Sequence, residues 1–227
     1  MEQKHLRAIK SFAKRSGRIT ASQRKALDES SKKYCLPYAE HTLDLSKVFS
    51  KHQPTVIEIG FGNGESLITM AKNNPNINYL GVEVHTAGVG HCLIGIELSE
   101  IKNLILIEHD AVEVLNNMIV NNSIHGFQVF FPDPWHKTRH QKRRLIQPDF
   151  VDLLSNKLTT EGFIHCATDW EHYSKQMLEV LSNNESIDNQ YRTFAPRPDS
   201  RPLTKFERRG ERLEHGNWDL IFKKITT

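Results

Sequence analysis

Four carboxylates and a set of three glycines carry the chemistry open to this 227-residue sequence. Gly60, Gly62 and Gly64 follow the apolar run "PTVIEIG", where the chain must turn from a strand into a helix, and glycines there let the backbone turn tightly and approach a ligand. Glu58 stands just before that turn, Glu83 closes "YLGVEV", Asp110 closes "LILIEHD", and Asp133 sits between two prolines in "FFPDPWHKTRHQKRR". The dinucleotide fingerprint G-x-G-x-x-G would need a glycine where Glu65 stands, and no G-x-x-x-x-G-K-[ST] loop occurs. An acid at the mouth of the following helix repels pyrophosphate, so the loop suits a ligand without phosphates.

A carboxylate at the end of the second strand can accept both hydroxyls of a ribose, and one at the end of the third can accept from an adenine amino group. Glu83 and Asp110 take those positions, and with Glu58 they outline a nucleoside site that has no phosphate site. S-adenosylmethionine meets this description, because its ammonium and sulfonium centres favour acidic surroundings. Asp133 offers a different chemistry. Pro132 and Pro134 restrict the backbone on either side of it, and Trp135 supplies a flat face for a base. A single carboxylate can accept both N1–H and N2–H₂ of guanine, whose N7 is an unprotonated acceptor. Methylation at N7 then needs no general base, only placement and electrostatics. The plainer alternative is that Asp133 caps the turn that follows it.

The elements that must position these residues are legible as alternating β-rich and helical patterns: "PTVIEIG", "ESLITMAKNN", "NYLGVEV", "GVGHCLIGIELSE", "NLILIEHD", "AVEVLNNMI", "GFQVFF", "QPDFVDLLSNKL", "GFIHCATD" and "EHYSKQMLEVLSNN". Such alternation reads as right-handed βαβ units, an α/β fold with a parallel sheet covered by helices on both faces. A last strand, "WDLIFKKI", follows a connection interrupted by Pro196, Pro198 and Pro202, with a short helix expected over "TKFERRGERL". Residues 1–50 lack strand patterning and read as a basic, partly helical N-terminal arm, with residues 51–227 as the catalytic domain.

Composition narrows the function classes. No apolar run is long enough to span a membrane and no apolar segment follows the basic N-terminus, so a cytoplasmic protein is expected. Cys35, Cys92 and Cys166 are isolated and odd in number, which argues against a disulfide framework, and no metal-ligand spacing surrounds the histidines. The net charge is only +3, but it is unevenly spread. Residues 1–33 carry ten Lys or Arg against three acids, Lys137, Arg139, Lys142, Arg143 and Arg144 follow Trp135, and a third basic cluster spans Arg197 to Arg212. Three separate clusters fit a phosphate-binding face if folding brings them together.

"EIGFGNGESL", "GVEVHTAGVG", "HDAVEVL", "FFPDPWHKTRHQKRRL", "ATDW" and "TKFERRGERL" occur in one collinear order over most of the chain. Together they closely resemble the bacterial tRNA (guanine-N7-)-methyltransferases, the TrmB family. The resemblance implies a Rossmann-like class I S-adenosylmethionine-dependent methyltransferase with a mostly parallel seven-stranded sheet whose last strand is antiparallel. It implies transfer of a methyl group from S-adenosylmethionine, leaving S-adenosylhomocysteine, to N7 of the variable-loop guanine at position 46 of tRNA, without a metal. By the same likeness Glu58, Gly60, Gly62, Gly64, Glu83, Asp110 and Asp133 would form the cofactor site, with Asp133 also catalytic. Lys137, Asp169, Thr204, Lys205, Phe206 and Glu207 would contact substrate, and Arg139, His140, Gln141, Lys142, Arg143 and Arg144 would touch RNA.

Two alternatives remain open. The Pro-Asp-Pro-Trp order resembles, with one proline displaced, the Asn/Asp-Pro-Pro-aromatic element of enzymes that methylate exocyclic amino groups. A non-catalytic tRNA-binding module is the other, although intact strand-end acids weigh against it. Thr204 and Glu207 also stand at the spacing of a helix capping box, which could fix that loop over the site.

Overall fold

The computed structural model describes residues 10–13, 17–203, 207 and 216–225. Seven strands form one sheet in the order β3-β2-β1-β4-β5-β7-β6. They are β1 (Thr55–Ile59), β2 (Asn78–Glu83), β3 (Leu104–Glu108), β4 (Ile124–Phe130), β5 (Leu158–Thr168), β6 (Ile187–Asn189) and β7 (Trp218–Lys224). The first five run parallel, and β7 lies antiparallel between β5 and β6. The expected mostly parallel sheet with its last strand reversed is what forms. The three-residue β6 carries too short a pattern to be read from sequence.

Helices cover both faces because both faces of the central strands are apolar. Ile57 and Ile59 point to one side with Leu80 and Val82, under α5 (Ala111–Asn117), α6 (Pro148–Lys157) and α7 (Glu171–Ser182). Val56 and Tyr79 point to the other, under α3 (Glu65–Asn73) and α4 (Thr86–Leu98). Each helix starts where its sequence supplies a stop to the strand: Gly64 caps α3, Asp110 accepts from Val112 N at α5, and Pro148 opens α6.

Within the segment expected as an arm, α1 (Ala21–Tyr34) packs on α4, and α2 (Leu45–Val48) follows it. Thr20 and Gln23 close a capping box at the start of α1. The chain then adds to the sheet's outer edge, where Leu36 N donates to Leu106 O at 2.9 Å. The close approach of α1 rests on Gly90, where a Cβ would stand 3.0 Å from Gln23 Cβ. The helix expected over "TKFERRGERL" falls almost wholly outside the described residues. Among the described residues no helix is long and apolar enough to cross a membrane.

Strand order reverses between β1 and β4, whose carboxyl ends deliver the glycine turn and the Pro-Asp-Pro turn side by side. Gly64 fits this crevice at φ +79, and a Cβ there would stand 2.4 Å from Cys92 Sγ; Gly62 has φ +59 but open space. Gly64→Ala therefore combines left-handed strain with overpacking, about 2–4 kcal/mol in all. Gly62→Ala carries the strain alone, about 1–2 kcal/mol. Urea denaturation of both variants checks the difference, and equal losses would contradict the packing seen around Gly64.

Candidate active site and nucleic-acid face

A cavity of about 370 Å³ opens at the switch point and is lined by Gly60, Glu83, Asp110 and Asp133 among others. Glu83 has a structural role there: Oε2 accepts from Gly62 N at 2.9 Å, and Oε1 from Val84 N at 2.6 Å and His85 N at 3.0 Å. The carboxylate thus clamps the glycine turn to the end of β2 while still facing the cavity. Gly60 and Gly62 lie at φ +73 and +59 with nothing within 4 Å of where a Cβ would be, so the turn presents bare backbone. Asp110 caps α5 and pairs with Lys10 Nζ at 3.3 Å.

Glu58 is brought near these residues but not onto the cavity wall. Its side chain is buried on the face shared with Val56, and its Oε2 has no hydrogen-bond partner among the described residues. Burial, with the neighbouring Glu83 adding to it, pushes its carboxyl up to about 8. At neutral pH Glu58 is therefore mostly protonated, a neutral group beneath the glycine turn.

The turn after β4 is strained. Phe131 and Trp135, neither of them glycine, have φ of 52° and 44°, a conformation costing about 1–3 kcal/mol each. Neighbours hold both. Phe131 N donates to Ala167 O at 2.8 Å, and Trp135 N donates to Asp133 Oδ1 at 3.0 Å. Asp133 therefore does cap its own turn, as the plainer alternative had it, yet it is exposed, lines the cavity, and its Oδ2 has no protein partner among the described residues. Trp135 Nε1 donates to Ser11 O at 3.0 Å, and the Arg143 guanidinium lies 4.0 Å over its ring. Arg143 in turn donates to Lys10 O and Phe12 O, both at 3.1 Å. One face of the indole expected to stack a base is thus covered, and residues 11–13 lie along the cavity rim.

The basic run does not act as one unit. Thr138–Arg143 forms a 3₁₀ helix that leaves Lys137, Arg139 and Lys142 exposed and His140, Gln141 and Arg143 half-buried. Arg144 corrects the expectation of an RNA contact, because it turns inward and is 2% exposed. Its Nε donates to Pro134 O at 2.7 Å, its Nη1 donates to Gln176 Oε1 and lies 3.1 Å from His172 Nδ1, and its guanidinium lies 4.7 Å over Tyr173. Nothing in "KRRL" distinguishes this arginine from Arg143; only the apolar Leu145-Ile146 that follows hints at burial.

Lys137 and Asp169 are exposed, the latter just beyond β5 beside Trp170, whose ring meets His136 edge-on at 4.2 Å. Thr204, Lys205 and Phe206 lie outside the described residues. Glu207, expected to touch substrate, is buried, with Oε1 2.6 Å from Arg201 Nη1. Arg201 also makes a forked pair with Asp219, at 2.7 and 2.8 Å, and His165 Nε2 reaches the same carboxylate at 2.7 Å. Burial opposes the charge on Asp219, but bonds from His165 and Arg201 outweigh it and hold the carboxyl below its ordinary value. Sequence reasoning missed this group; its one signal is the polar Asp219 in the otherwise apolar run of "WDLIF". It also missed His109, which lines the cavity and stacks on Tyr38. Among the described residues no three or more His, Cys, Asp or Glu side chains gather as a metal site.

A family model described as "Putative methyltransferase" matches residues 52–220. Proteins named tRNA (guanine-N(7)-)-methyltransferase are 52% identical to the chain in Aeromonas hydrophila, over 98% of this chain and 94% of that one, and 50% identical in Francisella philomiragia, over 97% of each. The same name belongs to a Burkholderia thailandensis protein that is 51% identical over 97% of this chain and 83% of its own. Among solved structures, the 16S rRNA methyltransferase KamB superposes with a TM-score of 0.59 at 10% identity, covering 83% of this chain and 97% of its own. The aminoglycoside resistance methyltransferase NpmB1 superposes at 0.54 with 12% identity, covering 80% and 92%. At that identity the structural likeness speaks for the fold, a class I methyltransferase sheet. The long, collinear sequence identity speaks for more: the chain belongs to the tRNA (guanine-N7-)-methyltransferase family.

Proposed function

We propose that this chain binds S-adenosylmethionine in the cavity at the β1/β4 switch point and methylates N7 of the variable-loop guanine, position 46, of tRNA. The observation that carries the reading is the convergence of Asp133 with Gly60, Glu83 and Asp110 on one cavity. The residues present fit the donor. Gly60 and Gly62 leave the room that a Cβ would fill, acids line the walls, and a buried Glu58 oxygen lacks a partner among the described residues. When bound, S-adenosylmethionine supplies a methyl group on a cationic sulfur.

Glu83 holds the glycine turn open and Asp110 offers its carboxylate at the adenine end. Asp133, with Oδ2 uncommitted, accepts from the Watson–Crick edge of guanine and turns N7 toward the cavity. N7 brings its own lone pair, so no protein base is required, and the carboxylate favours the positive charge that develops on the imidazole ring. Lys137, Arg139 and Lys142 meet flanking phosphates. Asp169 and Trp170, at the end of β5, are disposed for a neighbouring base or sugar.

Asp133→Asn keeps the shape and removes the charge, and kcat/KM for tRNA methylation falls about 10²-fold or more. The assay is transfer of labelled methyl followed by mapping of the product nucleotide, and an undiminished rate would take Asp133 out of the mechanism. Arg139→Gln with Lys142→Gln makes the salt dependence of tRNA binding shallower, by about 0.7–0.9 for each phosphate that is no longer neutralised. Arg144→Gln leaves that slope unchanged but lowers folding stability by about 2–4 kcal/mol, since its partners Pro134 O and Gln176 lose their donor. A slope altered by Arg144→Gln would return that residue to the RNA face.

Glu58 gives a titration test. A cation placed near a carboxyl held at about 8 favours its ionised form, so binding of the donor near pH 7 releases a proton. Calorimetry in buffers of different ionisation enthalpy detects that release, and Glu58→Gln abolishes it. Proton-neutral binding by the unmodified chain would separate Glu58 from the cofactor.

A further inference from the structure

We propose that Arg201 is a positioning residue for methyl transfer, acting through the strained turn that carries Asp133. The inference rests on the proposed role of Asp133. Arg201 lies on the proline-rich connection before β7, just ahead of the "TKFERRGERL" motif, and its side chain is 1% exposed. Its guanidinium is the hub of a buried charge group. One fork binds both oxygens of Asp219, the remaining nitrogen pairs with Glu207, and Asp219 is shared with His165.

The hub sits under the turn. The guanidinium carbon lies 5.7 Å from the Phe130 ring centre and 5.5 Å from that of Phe131, within cation–π range of both. Phe131 is the left-handed residue two positions before Asp133. In the sheet, Phe130 pairs with Ala167 and Ala167 pairs with Asp219, and Ala167 O accepts from Phe131 N. One row across the carboxyl edge therefore links the Arg201–Asp219 pair to the backbone that must stay strained for Asp133 to face the cavity. The same guanidinium also pairs with Glu207, a residue that the family likeness assigns to substrate contact. Lysine has a single ammonium and cannot satisfy both carboxylates in this planar arrangement.

Three variants test the assignment by single-turnover methyl transfer, each at a temperature where circular dichroism shows it folded. Arg201→Met is expected to lower the rate at saturating tRNA at least tenfold while affinity for S-adenosylmethionine stays within threefold, and Arg201→Lys to restore part of the rate. Arg201→Met removes the guanidinium from the buried Asp219, so Arg201→Met with Asp219→Asn serves as the better-folded form, and it is expected to regain melting temperature without regaining rate. A folded Arg201→Met or double variant turning over at the unmodified rate, or a rate that returns in step with the melting temperature, would reduce Arg201 to a stabilising role. Failure of the Asp133 reading is distinguishable, because there Asp133→Asn itself turns over normally.

Discussion

The structure depends on holding one carboxylate at the end of β4 in a backbone that would not choose its conformation unaided. Asp133 is bracketed by Phe131 and Trp135, both left-handed without being glycine. Such strain persists where the surroundings over-determine it. Here Ala167 O fixes Phe131, Arg144 braces Pro134 O from beneath, and Trp135 is held by Asp133, Ser11 and Arg143. On the other side of the crevice Glu83 performs the matching task for the glycine turn. Two turns from neighbouring strands are thereby locked opposite each other, and the cavity between them is a consequence.

Charge is sorted by depth. Glu83, Asp110 and Asp133 line the cavity and suit a cationic donor, while Lys137, Arg139 and Lys142 stand outside it and suit polyanions. Arginines that look alike in sequence divide the labour between these layers. Arg144 is buried as a brace, and Arg143 stacks on Trp135 while binding the carbonyls of residues 10 and 12. Because Lys10 also reaches Asp110, the segment 10–13 joins the acidic wall to the basic run across the cavity rim.

Much of this is legible in the sequence for identifiable reasons. The six longer strands and the helices between them have strong periodicity, and strand-end acids with a glycine turn point to the carboxyl edge without coordinates. What escapes is non-local. Residues 1–50 carry no strand pattern, yet α1 packs on α4 through Gly90, a close approach that only tertiary structure reveals. Arg144 is expected at RNA and Glu207 at substrate or in a helix cap, yet both are buried; their burial depends on partners 10 to 32 positions away for Arg144 and on Arg201 for Glu207. Glu58 reads as a cavity acid, whereas strand alternation turns it to the face beneath.

The proposed contact of Asp133 with the Watson–Crick edge of the target guanine is probed by replacing that guanine with inosine, which keeps N7 but lacks the 2-amino group, and measuring single-turnover methylation by the unmodified chain and by Asp133→Asn. A hydrogen bond to a charged acceptor predicts that inosine slows the unmodified chain about tenfold to a hundredfold and slows the variant far less. Equal slowing in both would contradict the account, because the carboxylate would then have no part in reading that edge.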